Sequence, residues 1–94
     1  MFPKDELFGL TSQIRRAAAS IPANLAEGST RTSHNEFHQF INIARGSAAE
    51  VEVWLLLACD LGYIAQDAFK QLSEQCSEVA RLLFGLMSSI NKQK

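Results

Sequence analysis

Phe37-His38-Gln39-Phe40-Ile41-Asn42-Ile43-Ala44-Arg45-Gly46-Ser47-Ala48-Ala49-Glu50-Val51-Glu52-Val53-Trp54-Leu55-Leu56-Leu57-Ala58-Cys59 sets the architecture of this chain. Phe37, Ile41, Ala44, Ala48, Val51, Leu55 and Ala58 recur at steps of three and four, the period of one helix face. Phe40, Ile43, Ser47, Trp54, Leu57 and Leu61 form a second row beside it. Val53 to Cys59 is unbroken apolar sequence. A helix that is apolar over most of its circumference is buried on most sides. Upstream, Ser33-His34-Asn35-Glu36 has the pattern of a capping box, a serine for the N3 amide and a glutamate reaching back. Downstream, Gly62 suits the position just past a helix end. The central helix is therefore predicted over 34–61.

Working outward, Leu7, Leu10, Ile14, Ala17 and Ile21 keep a single bundle-type stripe, which Asn24 continues as a polar residue. This predicts a first helix over 5–26. Pro22 inside it predicts a kink, because proline lacks the N–H and crowds the carbonyl four residues earlier. Gly28 is read as the stop, with Ser29 to Thr32 as a polar turn. On the other side, Phe69, Leu72, Cys76, Val79, Leu83, Leu86 and Ile90 hold an a/d spacing, and Ala80, Phe84 and Met87 form a side row. A third helix is predicted over 66–90, with Asp67 near its start and Lys92 and Lys94 past its end suiting the dipole. Connections this short favour antiparallel neighbours. The expected fold is all-α, an up-down antiparallel bundle in one domain over 1–94. Three helices of ~33–40 Å would leave the second row of the central helix uncovered, so a further helix or another copy of the chain is expected against it.

Composition narrows the function. The chain has 94 residues, 47% hydrophobic and 20% charged, with a formal net charge of -1. That disfavours both a strongly basic nucleic-acid binder and an acidic disordered tail. Nothing approaches the ~18 consecutive apolar residues of a membrane span, and Met1 to Glu6 has no signal-peptide pattern. A cytoplasmic protein is expected, with no membrane association. Cys59 and Cys76 are too few for a disulfide scaffold. A chain reversal near Gly62 also leaves them roughly 12 Å out of axial register, so both are read as small buried apolar residues.

The polar residues among the apolar rows are the site candidates. Arg16, Ser20, Asn24 and Glu27 fall within about 80° of one another on a helical wheel, a strip flanking the apolar face of the first helix. Ser47 and Glu50 interrupt the second row of the central helix. A carboxylate there is costly to bury unpaired, so Glu50 is expected to be buried and paired with Arg16 of the neighbouring helix or, since Arg45 sits at an awkward offset of five on the same helix, with Arg45 of another subunit. Together these residues, Arg45 included, are read as a polar network fixing register or subunit contacts, or as an interaction site. No nucleophile–base pair is evident, so no enzyme and no cofactor are expected. His34 and His38 share a face, but His-x-Glu-x-His is not the zinc-protease order, and no metal site is expected.

Two stretches resemble one family. They are Leu10-Thr11-Ser12-Gln13-Ile14-Arg15-Arg16-Ala17-Ala18-Ala19-Ser20-Ile21-Pro22-Ala23-Asn24-Leu25-Ala26-Glu27-Gly28 and Phe37 to Tyr63, the latter centred on Ala44-Arg45-Gly46-Ser47-Ala48-Ala49-Glu50-Val51-Glu52. Both are similar to the four-helix-bundle proteins of 23S ribosomal RNA intervening sequences, over about Phe2 to Asn91. The resemblance implies antiparallel four-helix bundles that assemble as rings, typically pentamers, with no enzymatic activity. A branch of the family serves diversity-generating retroelements as an accessory protein that binds a reverse transcriptase and nucleic acid. Two departures stand out. Family members usually carry a helix before the Phe2-Pro3-Lys4-Asp5-Glu6 segment, so this chain looks like helices two to four. The accessory branch is also basic, and this chain is not. Arg15, Arg16, Arg31 and Arg45 concentrate in the first half, where repetition around a ring builds a local basic rim. The sequence thus predicts a non-enzymatic homo-oligomer, a pentamer on the resemblance, that acts as a scaffold for a protein partner. The alternative is an accessory factor contacting RNA or DNA through those arginines.

Overall fold

The computed structural model describes residues 4 to 92. The Phe2-Pro3 start and the Lys94 end of the sequence reading lie outside that range. Three helices follow one another: α1, Lys4–Ser29; α2, His34–Asp60; α3, Gln66–Lys92. α1 and α3 each pack antiparallel on α2, and their backbones do not meet each other. The layer measures 53 × 23 × 12 Å, so the helices lie nearly side by side rather than in a closed triangle.

Local chemistry explains the helix ends. Ser33 is the N-cap of α2, extended at φ -99°, ψ 133°. Its hydroxyl accepts the amides of Asn35 at 3.1 Å and Glu36 at 3.4 Å, two of the donors a helix start leaves unpaired. At the other end Gly62 takes φ 84°. Its amide donates to the Cys59 carbonyl at 3.0 Å and the Tyr63 amide to the Ala58 carbonyl at 2.9 Å. This is the paired closure of a Schellman motif, and the left-handed residue it needs is normally glycine.

The α1 boundary departs from the sequence reading. The helix runs unbroken through Pro22. Pro22 and Ala18 are both exposed. Gly28 does not stop the helix either: it is helical and buried, and Ser29 is the last helical residue. Its role is packing. A Cβ there would lie 2.7 Å from the Phe40 Cβ and 2.9 Å from Phe37 Cδ1. The missing side chain is what lets α1 close on the start of α2.

Two apolar clusters lie along α2. One joins Ile41 and Ala44 with Leu83, Met87 and Ile90, and Ile21, Leu25, Phe37 and Val79 pack against it. The other joins Ala17, Val51 and Leu55, and Ile14, Ile64, Phe69 and Cys76 pack against it. The first α2 row is buried from Ile41 to Ala58, Ile41 and Ala44 completely, while Phe37 at its start is half-buried. The second row is split. Ser47 is buried, Phe40, Trp54 and Leu61 are half-buried, and Ile43 and Leu57 are exposed. α1 covers more of that row than the sequence suggested, because it sits to that side of α2 rather than squarely on the first row. The two cysteines are free and half-buried, not fully buried. No described helix is long and apolar enough to cross a membrane.

Candidate interaction site

The polar strip of α1 and the polar interruption of α2 meet in part. Ser20 and Ser47 share a hydrogen bond of 2.8 Å between their hydroxyls. Asn24 Nδ2 donates to the Ser20 hydroxyl at 2.8 Å and to the Ser20 carbonyl at 2.7 Å, and the Ser47 hydroxyl reaches the Ile43 carbonyl at 3.2 Å. Ser20, Asn24 and Ser47 therefore form one network at the α1–α2 seam. A buried hydroxyl without partners would oppose the packing, and this arrangement removes that cost.

The other residues of that predicted set stand apart. Arg16 donates to Gln13 one turn earlier, on the exposed side of α1. Glu27 pairs with Arg31 at the surface. Arg45 donates to Asn42 Oδ1 at 3.4 Å, reaches Met87 Sδ at 3.7 Å, and lies over the Phe84 ring at 5.5 Å. Glu50 is exposed, and it accepts the indole N–H of Trp54 at 3.1 Å. Within one chain, then, Glu50 is neither buried nor paired with Arg16 or Arg45. The physical reason is again the lateral seat of α1: Ser47 faces α1, while Glu50, three residues on, rotates past its edge into water.

The four arginines do not converge. Arg15 and Arg16 are consecutive and exposed on α1, so their side chains leave it about 100° apart. Arg31 is engaged by Glu27 and lies over Phe40 at 5.0 Å. Arg45 is engaged at the α2–α3 seam. Among the described residues no group of three or more His, Cys, Asp or Glu side chains is placed to hold a metal ion.

Two features escaped the sequence reading. Ser73 donates to Glu52 Oε2 at 2.7 Å, tying α3 to α2. The nearby Cys76 thiol has its pKa pushed up, first by burial and then by the Glu52 carboxylate. The second feature is a slot of about 300 Å³ between α1 and α3, floored by α2. Ile14 and Ile21 form one wall, Val51 and Leu55 the floor, and Leu72 and Val79 the other wall. The signal in the sequence is the breadth of the α3 stripe, whose Leu72 and Leu86 remain exposed.

An open three-helix layer, with Ser20, Asn24 and Ser47 at one seam and Arg45 at the other, defines a helical-bundle protein. The chain belongs to the family of 23S rRNA-intervening sequence proteins, whose sequence model matches residues 1–85. A solved structure of similar fold is a protein of unknown function from the S23 ribosomal protein family of Bacteroides thetaiotaomicron, determined at 1.70 Å. It is 30% identical, with a TM-score of 0.82, over 89% of this chain and 78% of that one. No curated protein matches the chain.

Proposed function

We propose that this protein is a non-enzymatic scaffold that assembles with copies of itself and presents the assembled surface to a protein partner. The observation that carries this is the apolar surface left open. Val53, Leu56 and Leu57 on the outer side of α2 are exposed, Val53 by 62%. Leu82 and Phe84 on α3 are exposed by 64% and 56%. A monomer seldom exposes a contiguous apolar patch beyond a few hundred Å², and assembly is the ordinary way to cover it. The polar residues support the same reading, since Ser20, Asn24, Ser47 and Arg45 are engaged in holding helices together. A closed ring, a pentamer on the family resemblance, is the form proposed for the assembly.

Sedimentation of the purified chain at micromolar concentration tests this. The expected species is several times the 10.4 kDa of one chain. A well-folded monomer overturns the proposal. RNA binding that weakens steeply with salt would overturn it in favour of a nucleic-acid factor.

A further inference from the structure

Glu52 is the one half-buried carboxylate among the described residues; the others are exposed. It faces a groove of about 440 Å³ along the α2–α3 seam, lined by Arg45, Gly46 and Ala49 of α2 and Ser77 and Ala80 of α3. The groove shares only Ala48 and Cys76 with the slot. It opens on the other side of the layer, since Ala49 leaves α2 about 200° round from Val51 on the slot floor. Ser73 gives Glu52 a hydroxyl at 2.7 Å, and no cation pairs with it among the described residues. Arg45 stands two helical turns away, roughly 10 Å along α2, and lies over Phe84. A carboxylate partly withdrawn from water is costly unless a cation meets it.

Arg15 is the matching orphan. Every other arginine has a partner within the chain: Arg16 on Gln13, Arg31 on Glu27, Arg45 over Phe84 and Arg81 on Glu78. Arg15 has none among the described residues. It leaves α1 about 200° round from the buried Ala17, hence away from α2. Phe8 stands in the same relation to the buried Leu10, two turns earlier on the same stripe. At 77% it is the most exposed large apolar side chain described. Ser12 and Ala19 complete that edge, and no carboxylate lies along it.

Arg15 and Glu52 cannot meet in one chain, because α1 lies on one flank of α2 and the groove on the other. We infer that they meet between copies: the outer edge of α1 of one chain seats in the α2–α3 groove of the next, with Arg15 against Glu52. This rests on the self-assembly reading and adds to it which surfaces join. An α1 running antiparallel to the α2 on which it seats carries Phe8 past Glu52 to Leu56, which is exposed one turn further on. Ala19 then falls against Ala49, where two small side chains admit close approach. The two surfaces differ, so the contact is head-to-tail, the kind that closes into a ring.

Sedimentation of the full chain is compared for the parent, Arg15→Glu and Arg15→Glu/Glu52→Arg. Arg15→Glu sets two carboxylates against each other across the contact, and should raise the dissociation constant about tenfold or more. The charge-exchanged double variant should recover most of the parent's association. Arg15 is exposed, so Arg15→Glu leaves the core in place; far-UV circular dichroism checks the fold of each variant. Carbodiimide coupling of Arg15→Lys is a second readout that does not depend on the double variant folding. Peptide mapping of the crosslinked dimer band should find the introduced amine joined to Glu52. If the parent assembles and Arg15→Glu assembles equally well, self-assembly stands and this contact falls. The contact also falls if a folded double variant recovers nothing, or if the introduced amine links to other carboxylates and not to Glu52. A folded monomeric parent overturns both.

Discussion

A Cβ at Gly28 would come within 3.0 Å of both Phe37 and Phe40, while one at Gly46 would meet nothing within 4 Å. Both glycines are helical. Alanine gains about 1 kcal/mol of helix propensity over glycine. At Gly46 that gain is unopposed, so Gly46→Ala should raise stability by about 0.5–1 kcal/mol. At Gly28 it is outweighed by crowding against the Phe40 Cβ, which cannot swing away as a side-chain tip can. Gly28→Ala should therefore destabilise, with overpacking costing ~1–3 kcal/mol. Opposite shifts in urea midpoint confirm the pair; equal shifts refute it. Glu50 is the second test at this scale. It is exposed and bonded to Trp54, so Glu50→Ala should change stability by no more than ~0.5 kcal/mol. A loss of several kcal/mol would restore a buried ion pair. Neither distinction was legible in the residues alone. A helical wheel places Gly28 and Glu50 beside an apolar row without saying how far round the neighbouring helix reaches.

The helices themselves were legible because their signals are local. Periodicity, the Ser33 cap and the Gly62 closure depend on residues within a turn of each other, and they locate α2 and α3 to within two residues of the observed ends. α1 ran three residues past its expected end. A glycine at that point of the sequence reads as a conformational stop, and only the phenylalanines of α2 reveal it as a contact. Gly62 is the position where the conformational reading does hold. At φ 84° a side chain is strained, and Gly62→Ala should cost about 1 kcal/mol or more. Thermal melts will show it as a lowered midpoint. An unchanged midpoint would mean that the α2–α3 turn rearranges without penalty.

For the whole molecule, stability rests on a thin layer. Ile41 is completely buried where α1, α2 and α3 come together, so Ile41→Ala should cost ~2–5 kcal/mol. That is a large part of the ~5–15 kcal/mol holding a domain of this kind. A cost below 1 kcal/mol by denaturant titration would show that the core forms only on assembly. The number of helices, their order, their antiparallel course and the buried row of α2 followed from the amino-acid sequence by itself, since each rests on spacing along one chain segment. Which side of α2 receives α1, the pairing of Ser20 with Ser47, the exposure of Glu50 and the open slot beside α3 were settled only in three dimensions. The reason is angular. A stripe of side chains fixes a helix face to within about a quarter turn, and whether a residue at its edge is covered depends on the crossing and offset of the neighbour. Those come from packing among residues far apart in the chain, such as Gly28 against Phe40 and Met87 beside Arg45.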